Sequence, residues 1–169
     1  LLNMSEIPED RRFEASRHRA SKARYWVMGL IVGALGASAA HATTFYVAPP
    51  PGGNNGNPGS AGSPWATLQF AADTIGPGDT VVVRAGQYAA FEVEIEASQA
   101  LPVVFRAAPG ELVELVTDLP ARLVGVNIEN SSWITIEGFR ANNRGIAGFR
   151  AALSEHVTFR GNVAQDNGV

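Results

Sequence analysis

Thr80-Val-Val-Val-Arg-Ala-Gly86, Pro102-Val-Val-Phe-Arg-Ala-Ala108, Trp133-Ile-Thr-Ile-Glu-Gly-Phe139 and His156-Val-Thr-Phe-Arg-Gly-Asn162 are four near-copies of one apolar strand. Counted from Val81 to Val103, Ile134 and Val157, they return after 22, 31 and 23 residues. A strand that recurs at a coil's length marks a solenoid, in which each turn buries its apolar face on the next. Alternation places Val81 and Val83, Val103 and Phe105, Ile134 and Ile136, Val157 and Phe159 on one face. The expectation is an interior column in which Val81, Val103, Ile134 and Val157 lie directly over one another. Val82, Val104, Thr135 and Thr158 then point outward, together with Arg84, Arg106, Glu137 and Arg160.

Between these strands lie further apolar pieces, Phe91-Glu-Val-Glu-Ile95, Leu112-Val-Glu-Leu-Val116 and Leu123-Val-Gly-Val-Asn-Ile128, suited to the other sides of each coil. Gly, Asn and Pro between them supply corners, since Gly and Asn tolerate positive φ. The 31-residue interval carries about eight residues too many for one coil, and the expected place for them is a bulged loop around Thr117 to Ala121. A β-sandwich also has short strands and frequent turns, but it gives no reason for one strand motif to return after a coil's length. The predicted fold class is all-β: a right-handed parallel β-helix with an N-terminal capping α-helix, preceded by a signal peptide.

Residues 43–79 lead into the first coil. Thr44-Phe-Tyr-Val-Ala48 reads as a strand. Pro49 to Ser63 is too rich in Gly, Pro and Asn for a regular element. Ser63-Pro64 then opens a predicted helix, with Ser63 as N-cap and Trp65, Leu68, Ala72 and Ile75 in one apolar stripe, and Gly76-Pro77-Gly78 ends it. Such a helix suits the open end of a solenoid, with Trp65 as the plug. Residues 80–169 form the coils.

Residues 1–42 differ in kind. Six basic residues between Arg11 and Arg24 precede the apolar run Tyr25 to Ala37, and Ala40-His41-Ala42 has small residues where a signal peptidase needs them. The run is shorter than the roughly 20 apolar residues of a spanning helix, so the sequence predicts export, secreted or periplasmic, with no stable membrane anchor after cleavage. From Thr43 onward the chain has seven Arg, no Lys and twelve Asp plus Glu, a formal charge of −5. That balance argues against nucleic acid as a partner. There is no Cys in the chain, which excludes disulfides and thiolate chemistry.

Three stretches carry a family resemblance. Phe45-Tyr-Val-Ala48 with Ser63-Pro-Trp-Ala-Thr-Leu-Gln69 and Gly76-Pro-Gly-Asp-Thr-Val-Val-Val-Arg-Ala-Gly-Gln-Tyr88 is similar to the leading segment of secreted right-handed parallel β-helix proteins of the pectate lyase-like superfamily. Leu101-Pro-Val-Val-Phe-Arg-Ala-Ala-Pro-Gly-Glu111 resembles their second coil, as in alginate lyase and chondroitinase B relatives. The strands at Trp133 and His156 look like their generic coils. The resemblance implies binding of acidic polysaccharide and, in an enzyme, cleavage by β-elimination with a Lys or Arg base and often Ca²⁺ held by acidic side chains. It also implies that the catalytic groups lie in later coils, so the chain is expected to be the N-terminal part of a longer protein. No catalytic residue is assigned. The alternative is a non-catalytic β-helix of a surface, adhesion or structural protein.

Arg84, Arg106 and Arg160 share one outward position of the repeat and are the candidate substrate-binding residues, since a guanidinium fork suits uronate carboxylates. The competing reading is a solvated face in which Glu137 bridges Arg106 and Arg160. Arg140, Arg144 and Arg150 add positive charge near the third coil, but an arginine base needs a strongly perturbed environment. Glu92, Glu94 and Glu96 alternate on one face and read as a solvated row. His156 reads as a surface residue, Asp166 as a turn, and Asn142, Asn143, Asn162 and Asn167 as corner and ladder residues. None is assigned as a metal ligand.

Overall fold

The computed structural model describes residues 42–116, 124–142 and 146–167. The expected signal segment and the bulge at Thr117 to Ala121 lie outside them. The elements are β1 (Thr44–Val47), α1 (Leu68–Thr74), β2 (Thr80–Val83), β3 (Gly86–Tyr88), β4 (Phe91–Val93), β5 (Val103–Ala107), β6 (Val113–Leu115), β7 (Val124–Glu129), β8 (Ile134–Glu137), β9 (Phe139–Asn142), β10 (Ala147–Ala152), β11 (Thr158–Arg160) and β12 (Val163–Gln165). A first sheet has the order β1-β2-β5-β8-β11, a second β12-β9-β6-β3, and a third β10-β7-β4. All the strand pairs are parallel. The chain visits the three sheets in turn and comes back beside its own preceding strand, so β2-β3-β4, β5-β6-β7, β8-β9-β10 and β11-β12 are successive coils. The architecture is a parallel β-helix.

Each coil sends every second side chain inward. Val81, Phe105 and Ile136 stack on the first sheet, Tyr88, Leu115 and Ala141 on the second, and Phe91 and Val126 on the third. All are buried within one hydrophobic cluster. The Phe91 ring lies 5.3 Å from Phe105 and 6.4 Å from Phe139, centroid to centroid, so aromatic contacts join the three sheets across the interior.

The register corrects one expectation. Val103 does sit beside Ile134, but Val81 sits beside Phe105 rather than Val103. The expected four-residue column is therefore broken between the first two coils by a slip of two. A slip of two returns every side chain to the same face, so the interior stays apolar and the pattern alone does not expose it. The outward rows move with it. Val82, not Arg84, lies beside Arg106. Val82 holds an outward position yet is buried, at the end of β2 where Arg84 Nη2 reaches across to the Ala61 carbonyl, 3.0 Å away.

The extra residues of the second coil are also divided differently. Val103 pairs with Ile134, 31 residues on; Val113 with Phe139, 26 on; and Phe149 with Val126, 23 back. Five of the surplus eight therefore lie between β5 and β6, in the turn 108–112, and only three between β6 and β7. A turn closed by Glu111 N donating to the Ala108 carbonyl (3.0 Å) makes room for the five.

Helix α1 starts later than expected. Thr67, not Ser63, is the N-cap, and its Oγ1 accepts from Phe70 N at 3.2 Å. Trp65 is held in extended backbone because its N–H donates to the Tyr46 carbonyl and its carbonyl accepts from Ala48 N, both at 2.9 Å. The bonds to β1 outweigh the local Ser-Pro signal. The apolar stripe is buried as expected: Trp65 stacks on Phe45 with centroids 4.6 Å apart, and Leu68, Ala71, Ala72 and Ile75 join the core. The Asn-rich loop is tied down by side chains, with Asn55 Oδ1 accepting from Ala66 N and Thr67 N at 2.8 and 3.1 Å. Gly59 lies against the Trp65 ring, where a Cβ would come within 2.6 Å, and its φ of +78° is also a glycine conformation.

Candidate functional site

The corners decide which side chains can gather on the outside. Between the first and second sheets they use Gly138 and Gly161 at positive φ. Asn162 bridges coils there, with its Oδ1 accepting from Phe139 N (2.8 Å) and its Nδ2 donating to the Ile136 carbonyl (2.9 Å). Between the third and first sheets the positive-φ positions hold Asn130 and Leu153, and then Trp133 and His156. Ser131, buried between them, accepts from Ile95 N at 2.9 Å, and its own N–H donates to Ser154 Oγ in the next coil at 3.1 Å. The repeated corner brings the Trp133 and His156 rings into a stack, centroids 4.0 Å apart and planes 15° from parallel. His156 is exposed, as expected, but its ring is stacked on a partner.

On the third sheet the outward row is Glu92, Asn127 and Arg150. Asn127 Nδ2 donates to Glu92 (2.6 Å) and to Glu129 (3.2 Å), while Arg150 donates to Asn127 Oδ1 (2.8 Å) and lies 3.8 Å from Glu129. On the second sheet Glu114 accepts from Gln87 at 3.4 Å and lies 3.9 Å from Arg140. These groups are occupied with one another. Asn167 Nδ2 donates to the Ala141 carbonyl, a ladder role, and Asp166 takes a positive φ, a turn role. Arg144 and Asn143 lie outside the described residues.

The first sheet differs. Arg106, Glu137 and Arg160 occupy one outward row on three consecutive coils. Both arginines are exposed and Glu137 is half-buried. Among the described residues none of the three side chains has a hydrogen-bond or ion-pair partner within 4.0 Å. The bridge expected at Glu137 is therefore not formed. A parallel row, Val104, Thr135 and Thr158, runs alongside. The structure thus brings Arg106 and Arg160 onto one row with Glu137 between them, and it sets Arg84 elsewhere, bonded to Ala61. The Trp133–His156 stack at the start of the same strands has no signal in composition; only the 23-residue spacing of the two rings hints at it.

Two clefts flank α1. One of about 360 Å³ lies between Pro49, Pro50 and Thr67 on one side and Gln87 to Ala90 on the other. Another of about 400 Å³ is lined by Gln69, Asp73, Glu92 and Glu94. Gln69 already spans the second, donating to Asp73 (2.8 Å) and to the Glu92 carbonyl (3.2 Å) and accepting from Glu92 N (3.0 Å). Buried Tyr88 donates to the Arg84 carbonyl at 2.8 Å. Burial first, and then the charge of Glu111, push its pKa well above the ordinary tyrosine value, against a smaller opposing effect of Arg84. No group of three or more His, Asp or Glu among the described residues is arranged to hold a metal ion. No helix among them is long and apolar enough to cross a membrane.

No family model and no curated protein matches the chain. Solved structures do. Pectate lyase Pel9A aligns with a TM-score of 0.57 and 17% identity over 75% of this chain and 35% of that one. A GH136 lacto-N-biosidase from Eubacterium ramulus, as its selenomethionine derivative, gives 0.60 and 13% over 75% of this chain and 27% of that one. A rhamnogalacturonan lyase gives 0.50 and 13% over 72% and 51%. The chain spans between 27% and 51% of the length of these three structures. The chain shares the parallel β-helix fold with these structures, as the repeats led one to expect.

Proposed function

We propose that this chain forms the leading coils of an exported β-helix protein that binds acidic polysaccharide on the outer face of its first sheet. The observation that carries this reading is the row of Arg106 and Arg160, exposed and without a hydrogen-bond or ion-pair partner among the described residues, on three coils held in register by a buried core. A guanidinium fork left free on a rigid sheet is preorganised for a carboxylate. The shared fold of two polysaccharide lyases and a glycan-cleaving enzyme supports the substrate class. On this reading residues 1–42 direct export, residues 43–79 lead in, with α1 and Trp65 closing the first coil, and residues 80–169 form the coils. Arg84 stands apart from the binding row.

In the whole protein the reaction is β-elimination. A base removes the proton on the carbon that bears the uronate carboxylate, the adjacent glycosidic C–O bond breaks, its oxygen takes a proton to leave as a hydroxyl, and a C=C bond forms in the new end sugar. Arg106 and Arg160 hold carboxylates of the bound chain, and the base belongs to later coils. A second reading is binding without cleavage, by a non-catalytic β-helix of a surface or adhesion protein.

The test is to incubate the full-length protein, later coils included, with polygalacturonate, alginate and chondroitin, following both retention in affinity electrophoresis and absorbance of the unsaturated sugar. Retention with rising absorbance is expected. Retention alone selects the second reading, and absence of retention with all three polymers overturns both.

A further inference from the structure

The charges along the first sheet alternate in sign: Arg106, Glu137, Arg160. We propose that Glu137 sets the specificity of this face, which takes a glycan lying along the coil axis with acidic and neutral sugars in alternation. A polymer with a carboxylate on every sugar is rejected. This inference rests on the binding reading above and specifies its substrate.

Neighbouring coils are about 4.8 Å apart, and each sugar of an extended glycan advances by roughly that distance. Arg106 and Arg160 are two coils apart, so they meet the first and third sugars of a chain in register with the coils. The second sugar meets Glu137. Its backbone is fixed, because Ile134 and Ile136 on the same strand are fully buried. Its carboxylate is not consumed by the flanking arginines, in contrast to Glu114 and Glu129, each of which has an arginine within 4.0 Å. A uronate placed there would bring two carboxylates together while desolvating both, a repulsive element of the kind that sets specificity. A neutral sugar there offers hydroxyls that the Glu137 carboxylate accepts from. Thr135 and Thr158, in the adjoining outward row, add donors and acceptors for the same hydroxyls.

The test compares unsulfated chondroitin, which alternates, with polygalacturonate, which does not, at one ionic strength. The protein is expected to bind chondroitin at least tenfold more tightly. Glu137→Gln should tighten polygalacturonate several-fold and leave chondroitin within twofold, while Glu137→Ala should tighten polygalacturonate likewise but weaken chondroitin several-fold, because the acceptor for the neutral sugar's hydroxyls is lost. Glu155→Gln, an equal change of charge at an exposed position off the row, should change neither. Equal binding of the two polymers by the unaltered protein overturns this inference and leaves the binding reading intact. So does an equal tightening of both polymers by Glu137→Gln, which would mark a general charge effect. Failure to bind either polymer overturns both.

Discussion

The outer faces of the third and first sheets carry similar residues in opposite states. On the third sheet Glu92, Asn127, Arg150 and Glu129 are joined by hydrogen bonds of 2.6 to 3.2 Å and one ion pair. On the first, Arg106, Glu137 and Arg160 lie on equally regular strands and form no hydrogen bond or ion pair with one another. The difference is the amide. Asn127 places a donor toward Glu92 and an acceptor toward Arg150, so the row closes on itself. Glu137 offers acceptors only, and without a second polar group to orient the arginines the exposed pairs gain little over hydration. A ladder that is satisfied internally holds coils together; one that is not remains available to a ligand.

The comparison is broken most strongly at Asn127. Asn127→Ala removes the shared partner of two carboxylates and an arginine. Bonds to charged groups count for about 1.5–3 kcal/mol each when buried, and this face is partly exposed, so a net loss of about 2 kcal/mol is expected. Denaturant titration measures it, and glycan retention should not change. Unchanged stability would show the ladder to be ornamental and the two faces equivalent.

An alkaline melt separates both faces from the interior. The Tyr88 hydroxyl is neutral and its pKa is raised by burial, so above about pH 10 the unfolded chain loses a proton that the folded chain keeps. The folded state therefore binds more protons in that range, and stability falls as pH rises, by about 1.4 kcal/mol per pH unit. Below pH 10 this contribution is fully present. Tyr88→Phe should flatten the alkaline slope, while substitutions on either outer face leave it in place.

Much of this geometry could be read from the chain before any coordinates. The first-sheet strands, their inward face and the existence of further sides all follow from alternation and the coil-length repeat. What could not be read was phase. Arg84-Ala85 and Arg106-Ala107 look equivalent, yet the ladder sets Val82 beside Arg106, and three consecutive valines carry no alternation to reveal the slip. The surplus of the second coil was countable, but turns tolerate insertion at any corner, so its division was hidden. Strands β3, β9, β10 and β12 were missed because Gly86-Gln-Tyr88, Phe139-Arg-Ala-Asn142, Ala147-Gly-Phe-Arg-Ala-Ala152 and Val163-Ala-Gln165 are rich in small or polar residues; their neighbours in the stack, not their propensity, make them strands. Of the outward row, the shared position of Arg106 and Arg160 was legible from the repeat, and the position of Arg84 was misplaced by the same slip.

The corner between the two faces offers a smaller effect of opposite sign. Leu153 is 81% exposed and held at φ +50°, the conformation Asn130 adopts one coil earlier. Asparagine tolerates that region far better than leucine, so Leu153→Asn should stabilise the protein by about 0.5–1 kcal/mol. A loss of stability instead would mean that the leucine side chain packs on something in solution.

The smallest expected effect tests the open face itself. Arg106→Ala combined with Arg160→Ala removes two cations that form no hydrogen bond or ion pair with another described side chain, so stability should stay within about 0.5 kcal/mol and the melt should be equally insensitive to salt before and after. A paired row would respond differently, because raising the ionic strength weakens ion pairs and removing the arginines would abolish that response. The same double variant should lose retention of anionic glycans at least tenfold, since it strips that row of the cations it carries among the described residues. Stability lost in step with retention would place Arg106 and Arg160 with Arg150, as parts of a ladder. Retention lost from an undisturbed fold is the behaviour of a binding surface, and it is the combination of the two measurements, not either alone, that distinguishes the faces.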